Sequence, residues 1–224
     1  MEEAKQLRKK ILQMSFDSGA CHIGSSLSCI EIMLALSKVE GIKIFSKASG
    51  AATLYALSGK GAEYLKQNPL CWPGGSLGHG LPIACGVAAG KRNENVFCVV
   101  SDAELDEGTT WESLLFASHN KLNNLTIIVD YNKLQSCGSC ENVLTLEPLA
   151  DKFRAFGFEV VEVDGHNLEE LTQGLSLPLM YKIKPTVMIA HTIKGKGVDF
   201  MENLYEWHYK NLTQELLDKA LKQL

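Results

Sequence analysis

Two apolar runs, Val96–Val100 and Leu125–Val129, constrain the fold of this 224-residue chain more than any other feature. Both are short, continuous and rich in β-branched residues, as strands are when a parallel sheet buries them on both faces. Between them lie a polar turn and a helical segment from about Thr110 to Lys121. Strand, helix and strand in this length make a βαβ unit, whose crossover is right-handed. The first strand runs into Asp102 and the second into Asn132. Adjacent parallel strands bring those two residues to one edge of the sheet, the edge where open α/β sheets bind ligands. An acid and an amide there, both oxygen donors, form half a cage for a hard cation that also holds phosphates.

The rest of the chain repeats the alternation. Leu7, Ile11 and Met14 stand at helical spacing within residues 3–15. Small residues (Ser18, Gly19, Ala20, Gly24–Ser26) predict a tight loop around His22. Ser28 then fits the cap of a helix running to about Val39, with Glu31 completing a capping box. Gly41–Phe45 reads as a short strand, residues 50–58 as a helix and Gly59–Trp72 as irregular. A glycine-rich loop (Gly74, Gly75, Gly78, Gly80) leads into a helix at Ile83–Ala89, with Pro82 suited to the first turn. Beyond the central unit come a helix at Leu146–Phe156, a strand at Phe158–Val163, a helix at Asn167–Leu175, a strand at Pro185–Ala190 and a helix at Thr213–Gln223. This order predicts an α/β fold, a mostly parallel sheet with helices on both faces, in one domain spanning residues 1–224.

Composition narrows the function. Hydrophobic residues make up 46%, enough for a large core. The net charge of −4 gives no basic field for nucleic acid. No apolar run reaches membrane-spanning length, and the start, MEEAKQLRKK, lacks the apolar core of a signal peptide. Seven cysteines, an odd number, read as free thiols, so a cytoplasmic location is expected. Cys137 and Cys140 form one CxxC; with no second pair at zinc-site spacing, two loop thiols is the simpler reading.

Three loops fall at one sheet edge: Gly74–Gly80, Ser101–Gly108 and Tyr131–Gly138, with the Lys194 loop beside them. They offer oxygen donors, backbone amides before a helix and a cation, a set that suits a metal-bound pyrophosphate. Each piece has a plainer reading. Asp102 serves equally as a helix cap and Asn132 as a turn residue. Glu104, Asp106 and Glu107 complement the dipole of the next helix. Lys194 and Lys196 can be solvated, and His22 and His79 can face solvent. The fixed order of the whole set favours the ligand reading.

These segments resemble a known family. SDAELDEGTTWESLLFASHNKLNNLTIIVDYNKLQ looks like the thiamine pyrophosphate motif of transketolases, in which an Asn follows Gly-Asp-Gly by about thirty residues; here the separation is 132 − 102 = 30. CHIGSSLS resembles the family's early histidine loop, GGSLGHGLPIACGVAAG its cofactor-contacting loop, and HTIKGKGVDFMENLYEWHYK the end of its amino-terminal half. The likeness is greatest to the amino-terminal subunits of split transketolases.

The resemblance implies the pyrophosphate domain of the thiamine pyrophosphate-binding fold. It implies Mg²⁺ (or Ca²⁺ or Mn²⁺) held by Asp102, Asn132 and the Leu134 carbonyl. Thiamine contacts fall to Gly75, Ser76 and Leu77, and further cofactor contacts to Ala103, Glu104, Lys194 and His208. Glu107 matches a glutamate of the subunit-interface network. His22 and His208 match positions at the reacting end. The reaction implied is transfer of a two-carbon ketol unit from a ketose or ketose phosphate to an aldehyde, the carbanion chemistry being the cofactor's. The family's activating glutamate lies in a pyrimidine-binding domain. A carboxy-terminal partner subunit and a heterotetramer-like assembly are therefore expected, with small sugars as substrates and neither nucleic acid nor membrane as partners.

Two departures shape the expectation. Ser101-Asp102-Ala103 stands where Gly-Asp-Gly is usual, and an alanine fits there without strain only if its φ is negative. FSKASGAA, Phe45–Ala52, stands where Ser-Lys-Gly-His-Ala is usual, and LCWPGGS replaces a second histidine motif. With two substrate-side histidines missing, His79 is a candidate replacement and an altered donor is expected. An α-keto acid-using synthase and a non-catalytic regulatory partner are the competing readings.

Overall fold

The computed structural model describes residues 2–71, 75–181 and 183–224. In chain order its elements are α1 (Glu2–Ser18), α2 (Ile23–Ser28), α3 (Ile30–Ser37), β1 (Ile42–Phe45), α4 (Ala51–Leu57), α5 (Ala62–Gln67), α6 (Gly80–Gly90), β2 (Val96–Ser101), α7 (Gly108–His119), β3 (Leu125–Tyr131), α8 (Cys140–Val143), α9 (Leu149–Ala155), β4 (Glu159–Asp164), α10 (Leu168–Tyr181), β5 (Thr186–His191) and α11 (Gln214–Gln223). The five strands form one sheet in the order β1-β2-β3-β5-β4, and every pairing is parallel.

The continuous apolar runs of β2 and β3 are buried along their whole length because both faces of the sheet are covered. Alternate residues face opposite ways. Phe97, Val99 and Ile128 pack with Ile11, Leu27, Leu34 and Leu171 from α1, α2, α3 and α10. Cys98, Val100, Ile127 and Val129 pack with Ala84, Leu114 and Phe153 from α6, α7 and α9. Ser101 pairs with Asp130 in the β2–β3 register, and Asp130 with Ala190 in β3–β5. The ends of three adjacent strands are therefore level, and the loops after them start side by side.

The α/β reading with helices on both faces holds, and the local differences have identifiable causes. The expected tight loop around residue 24 is helical, as α2, and a break at Cys29 separates it from α3. Ser28 caps nothing. It is buried, and its hydroxyl donates to Asp130 Oδ2 at 2.6 Å because a carboxylate buried on β3 demands donors. Glu31 turns to Arg8 and His166 instead of completing a capping box. α5 lies within the segment expected to be irregular, anchored by the buried Leu65. α9 begins at Leu149, after Pro148 at its N-cap. All seven cysteines are free, and Cys137 is exposed while Cys140 is buried.

Candidate active site

The loops after β1, β2, β3 and β5 leave the same edge of the sheet and meet around a cavity of about 410 Å³. They deliver Lys47, Asp102, Asn132 and Lys194 to its wall, while the start of α2 and residues 205–209 add His22, His208 and Tyr209. Asp102 is 2% exposed. Its Oδ1 accepts from the Ala103 amide at 3.0 Å, and its Oδ2, equally buried, has no hydrogen-bond partner. Burial pushes this carboxyl up to about 6, against the opposing pull of Lys47 and Lys194. Asn132 Oδ1 accepts from the Leu134 amide at 3.1 Å, a local bond that fixes the turn after β3. The Leu134 carbonyl accepts from Lys194 Nζ at 3.2 Å and, with two lone pairs, retains a free one.

An orphaned buried carboxylate oxygen calls for a missing partner. No group of three or more His, Cys, Asp or Glu side chains among the described residues forms a metal cage. One carboxylate, one amide oxygen and one peptide carbonyl instead fit a hard cation that completes its shell with phosphate and water oxygens, the habit of Mg²⁺. Ala103 lies in the 3-10 turn Asp102–Asp106 and has no left-handed backbone, so its methyl carries no strain.

Beneath the cavity Lys47 and Asp130 form an ion pair at 2.9 Å, with side chains 2% and 0% exposed. Ser28 and Thr192 also donate to Asp130. Burial works against both charges, yet Lys47 is held above its usual range by Asp130, and Asp130 below its own by Lys47 and the two hydroxyls. Lys194 is 2% exposed, and burial together with the neighbouring Lys47 pulls it down to about 8. Its Nζ also lies 3.5 Å from His208 Nδ1. His22 and His208 meet edge to face, with ring centroids 4.7 Å apart. Burial and then Lys194 pull His22 down to about 4 and His208 to about 3, so both are neutral at pH 7. An ammonium can only donate, so His208 Nδ1 accepts in that contact and its proton sits on Nε2.

The remaining expected residues divide. Gly75 and Leu77 line the cavity, whereas Ser76 and His79 are exposed outside it and contact each other, Oγ to Nε2, at 3.0 Å. Gly74 of the same loop lies outside the described residues. Gly78 has φ +79°, and a Cβ there would come within 2.7 Å of Glu107 Cβ, so the loop can seat against the start of α7 only with glycine at this point. Glu104 is buried within the turn and does not line the cavity. Its Oε2 accepts from the Ser101 amide at 2.9 Å, closing a capping box, and Ser46 donates to its Oε1. Glu107 is half-buried at the N-cap of α7.

The family described as the transketolase thiamine diphosphate binding domain (thiamine diphosphate being thiamine pyrophosphate) matches residues 74–224. The chain belongs to the transketolase family. Over 99% of its length it is 32% identical to the 6-deoxy-6-sulfo-D-fructose transketolase subunit SqwG of Clostridium sp. (strain MSTE9), covering 94% of that protein. Over its full length it is 34% identical to one of the subunits of the apulose-4-phosphate transketolase of Actinobacillus succinogenes, covering 95% of that protein. Transketolase from Campylobacter jejuni superimposes with a TM-score of 0.84 at 26% identity, over 99% of this chain and 41% of that one. The Leishmania mexicana enzyme, at 22% identity and a TM-score of 0.88, shares the fold over 98% of this chain. The chain thus spans about two fifths of those solved transketolases.

Within this transketolase-family chain, sequence reasoning missed Lys47, Asp130, Ser28 and Thr192 as the support of the site. A signal existed: Asp130 closes an otherwise apolar strand, and a carboxylate there needs a buried cation. Lys47 follows the short strand β1 at the same edge.

Proposed function

We propose that this chain is the pyrophosphate-binding subunit of a transketolase, one domain over residues 1–224, and holds thiamine pyrophosphate through Mg²⁺. The observation that carries the reading is the unpartnered Asp102 Oδ2, buried at the edge where Asn132 and the Leu134 carbonyl present two more oxygens. Those three groups take the metal. Lys194, a buried cation 3.2 Å from the Leu134 carbonyl, would offset the pyrophosphate charge. Gly75 and Leu77, which line the cavity, would contact the thiamine, and Ala103 beside Asp102 would contact the cofactor too. When bound, the cofactor supplies carbanion stabilisation for cleaving and forming a carbon–carbon bond. His208 donates from Nε2 toward the reacting oxygens. His22, neutral and beside it, binds the donor's hydroxyl and moves its proton. Groups aimed at charge that develops in the transition state contribute about 3–4 kcal/mol each in comparable sites.

The proposed donor is a ketose bearing a terminal anion. The two relatives described above are named for a sugar phosphate and a sulfo-sugar, which share that chemistry. The lysines lining this chain's cavity, Lys47 and Lys194, are engaged with Asp130 and with backbone carbonyls. The donor's anion therefore falls to a carboxy-terminal partner subunit, which brings the pyrimidine-binding domain, in an assembly of two copies of each. Glu107 at the start of α7 belongs to that junction. His79, outside the cavity, reaches substrate only across it.

Calorimetry on the complex of this chain with its partner tests the reading. Saturable thiamine pyrophosphate binding that requires Mg²⁺ is expected. No binding at millimolar cofactor overturns it.

A further inference from the structure

The loop after β5 carries Lys194 on its cavity side, and three side chains outside the cavity hold it from behind. The Ile193 amide donates to His166 Nε2 at 2.8 Å. A backbone amide can only donate, so Nε2 is unprotonated and the imidazole proton sits on Nδ1. Nδ1 in turn donates to Glu31 Oε2 at 3.0 Å. The other oxygen of Glu31 accepts from Arg8 Nη2 at 2.5 Å, and Arg8 Nε donates to the Lys196 carbonyl at 2.9 Å. One carboxylate on α3 therefore fixes the loop at Ile193 through His166 and at Lys196 through Arg8. Those two points bracket Lys194. Gly197, next in line, has φ +95°, and a Cβ there would come within 2.7 Å of Arg8 Cδ, so the loop lies flush on the arginine.

This network is built for rigidity. Arg8 and Glu31 are 7% and 6% exposed although both are charged. Burial pushes Glu31 up, but His166 and Arg8 overcome it and hold the carboxyl below its usual range. Its members come from α1, α3 and the turn after β4, and α1 and α3 share one apolar core.

We infer that His166, backed by Glu31 and Arg8, is a positioning residue for the cofactor, acting through Lys194: it fixes the peptide from which the Lys194 side chain reaches the metal and phosphate end. The inference rests on the reading of Lys194 given above and deepens it. It parallels metal sites, where partners one step removed from the ligands orient them and their loss weakens binding by about 10–100-fold.

Two measurements test it. Deuterium uptake of residues 193–197 in the full 224-residue chain without cofactor reads the anchoring directly. His166→Leu should speed it by at least about tenfold. His166→Gln, whose amide oxygen reaches the Nε2 position, should restore most of the protection. Unchanged uptake in His166→Leu overturns the proposal. Thiamine pyrophosphate titrations of the complex with its partner, at saturating Mg²⁺, read the consequence. His166→Leu should weaken binding by about tenfold in the wild-type background and leave it unaltered when Lys194 is already methionine, since a residue acting through Lys194 has nothing left to act on. Additive losses overturn the positioning role. If Lys194→Met alone leaves the affinity unchanged, the reading of Lys194 fails, and the proposal with it, whatever the uptake shows. Should His166→Leu lose its native circular dichroism, Glu31→Gln takes its place, with the same peptides loosening to a smaller degree; no loosening there overturns the proposal equally.

Discussion

At the floor of the cavity Lys47, Asp102 and Lys194 are each 2% exposed, whereas at its rim Tyr209 is 64% exposed and Gly75 is open to solvent, as are Ser76 and His79 just outside it. Among the described residues, every charge on the floor has a partner except one oxygen of Asp102. The rim holds neutral or small groups with few bonds, such as the contact between Ser76 and His79. The contrast separates two tasks. Under the proposed function the floor takes the metal and the diphosphate, and buried pairs fix it in the core. The rim side chains, proposed to meet the donor, sit where substitution costs the fold little.

The comparison can be broken at several points. Lys47→Met strands the Asp130 charge inside the fold, and urea unfolding should show a loss of about 3–5 kcal/mol. Adding Asp130→Asn to that variant should recover much of it, and no recovery would mean that packing, not charge, is what Lys47 supplies. Asp102→Ala should weaken Mg²⁺-dependent cofactor binding by more than about 100-fold, or ~2.7 kcal/mol, without lowering the unfolding midpoint. Retained affinity removes Asp102 from the metal.

The titration of Asp102 gives a smaller effect with a definite sign. Only the carboxylate binds a cation, and burial raises this group to about 6. Affinity for Mg²⁺ with thiamine pyrophosphate should be level above about pH 7 and fall as pH drops below 6, by about tenfold per unit. A flat profile between pH 5 and 7 would contradict the assignment. At the rim, Tyr209→Ala removes a ring that meets His208 edge to face at 4.7 Å. The donor KM should rise by about 3–10-fold with cofactor affinity unchanged. His79→Gln should be the mildest, moving cofactor affinity by less than about twofold. A large fall would pull the 75–79 loop into the floor.

Legibility in the sequence followed the same division. The strands around Asp102 and Asn132 announce themselves, because burial on two faces writes continuous apolar runs such as VFCVV and LTIIV. Two strand-end residues and a fixed spacing then locate the edge proposed to hold the metal. The supports were harder to see. Ser28 looks like a cap until Asp130, 102 positions away, draws its hydroxyl. Glu104 looks like a cofactor contact until its carboxylate is found closing the turn on Ser101. His166 lies in an ordinary turn, Asp164-Gly165-His166, and its partner Glu31 is 135 residues distant. Pairings between elements far apart in the chain leave no local pattern, so a buried acid in sequence says only that a partner exists somewhere.

The sheet is sealed on both sides by two separate apolar cores, and the exposed Gly75, Ser76, His79 and Tyr209 belong to neither. For descent with modification this means that substitutions at those exposed positions leave both cores, and with them the fold, intact.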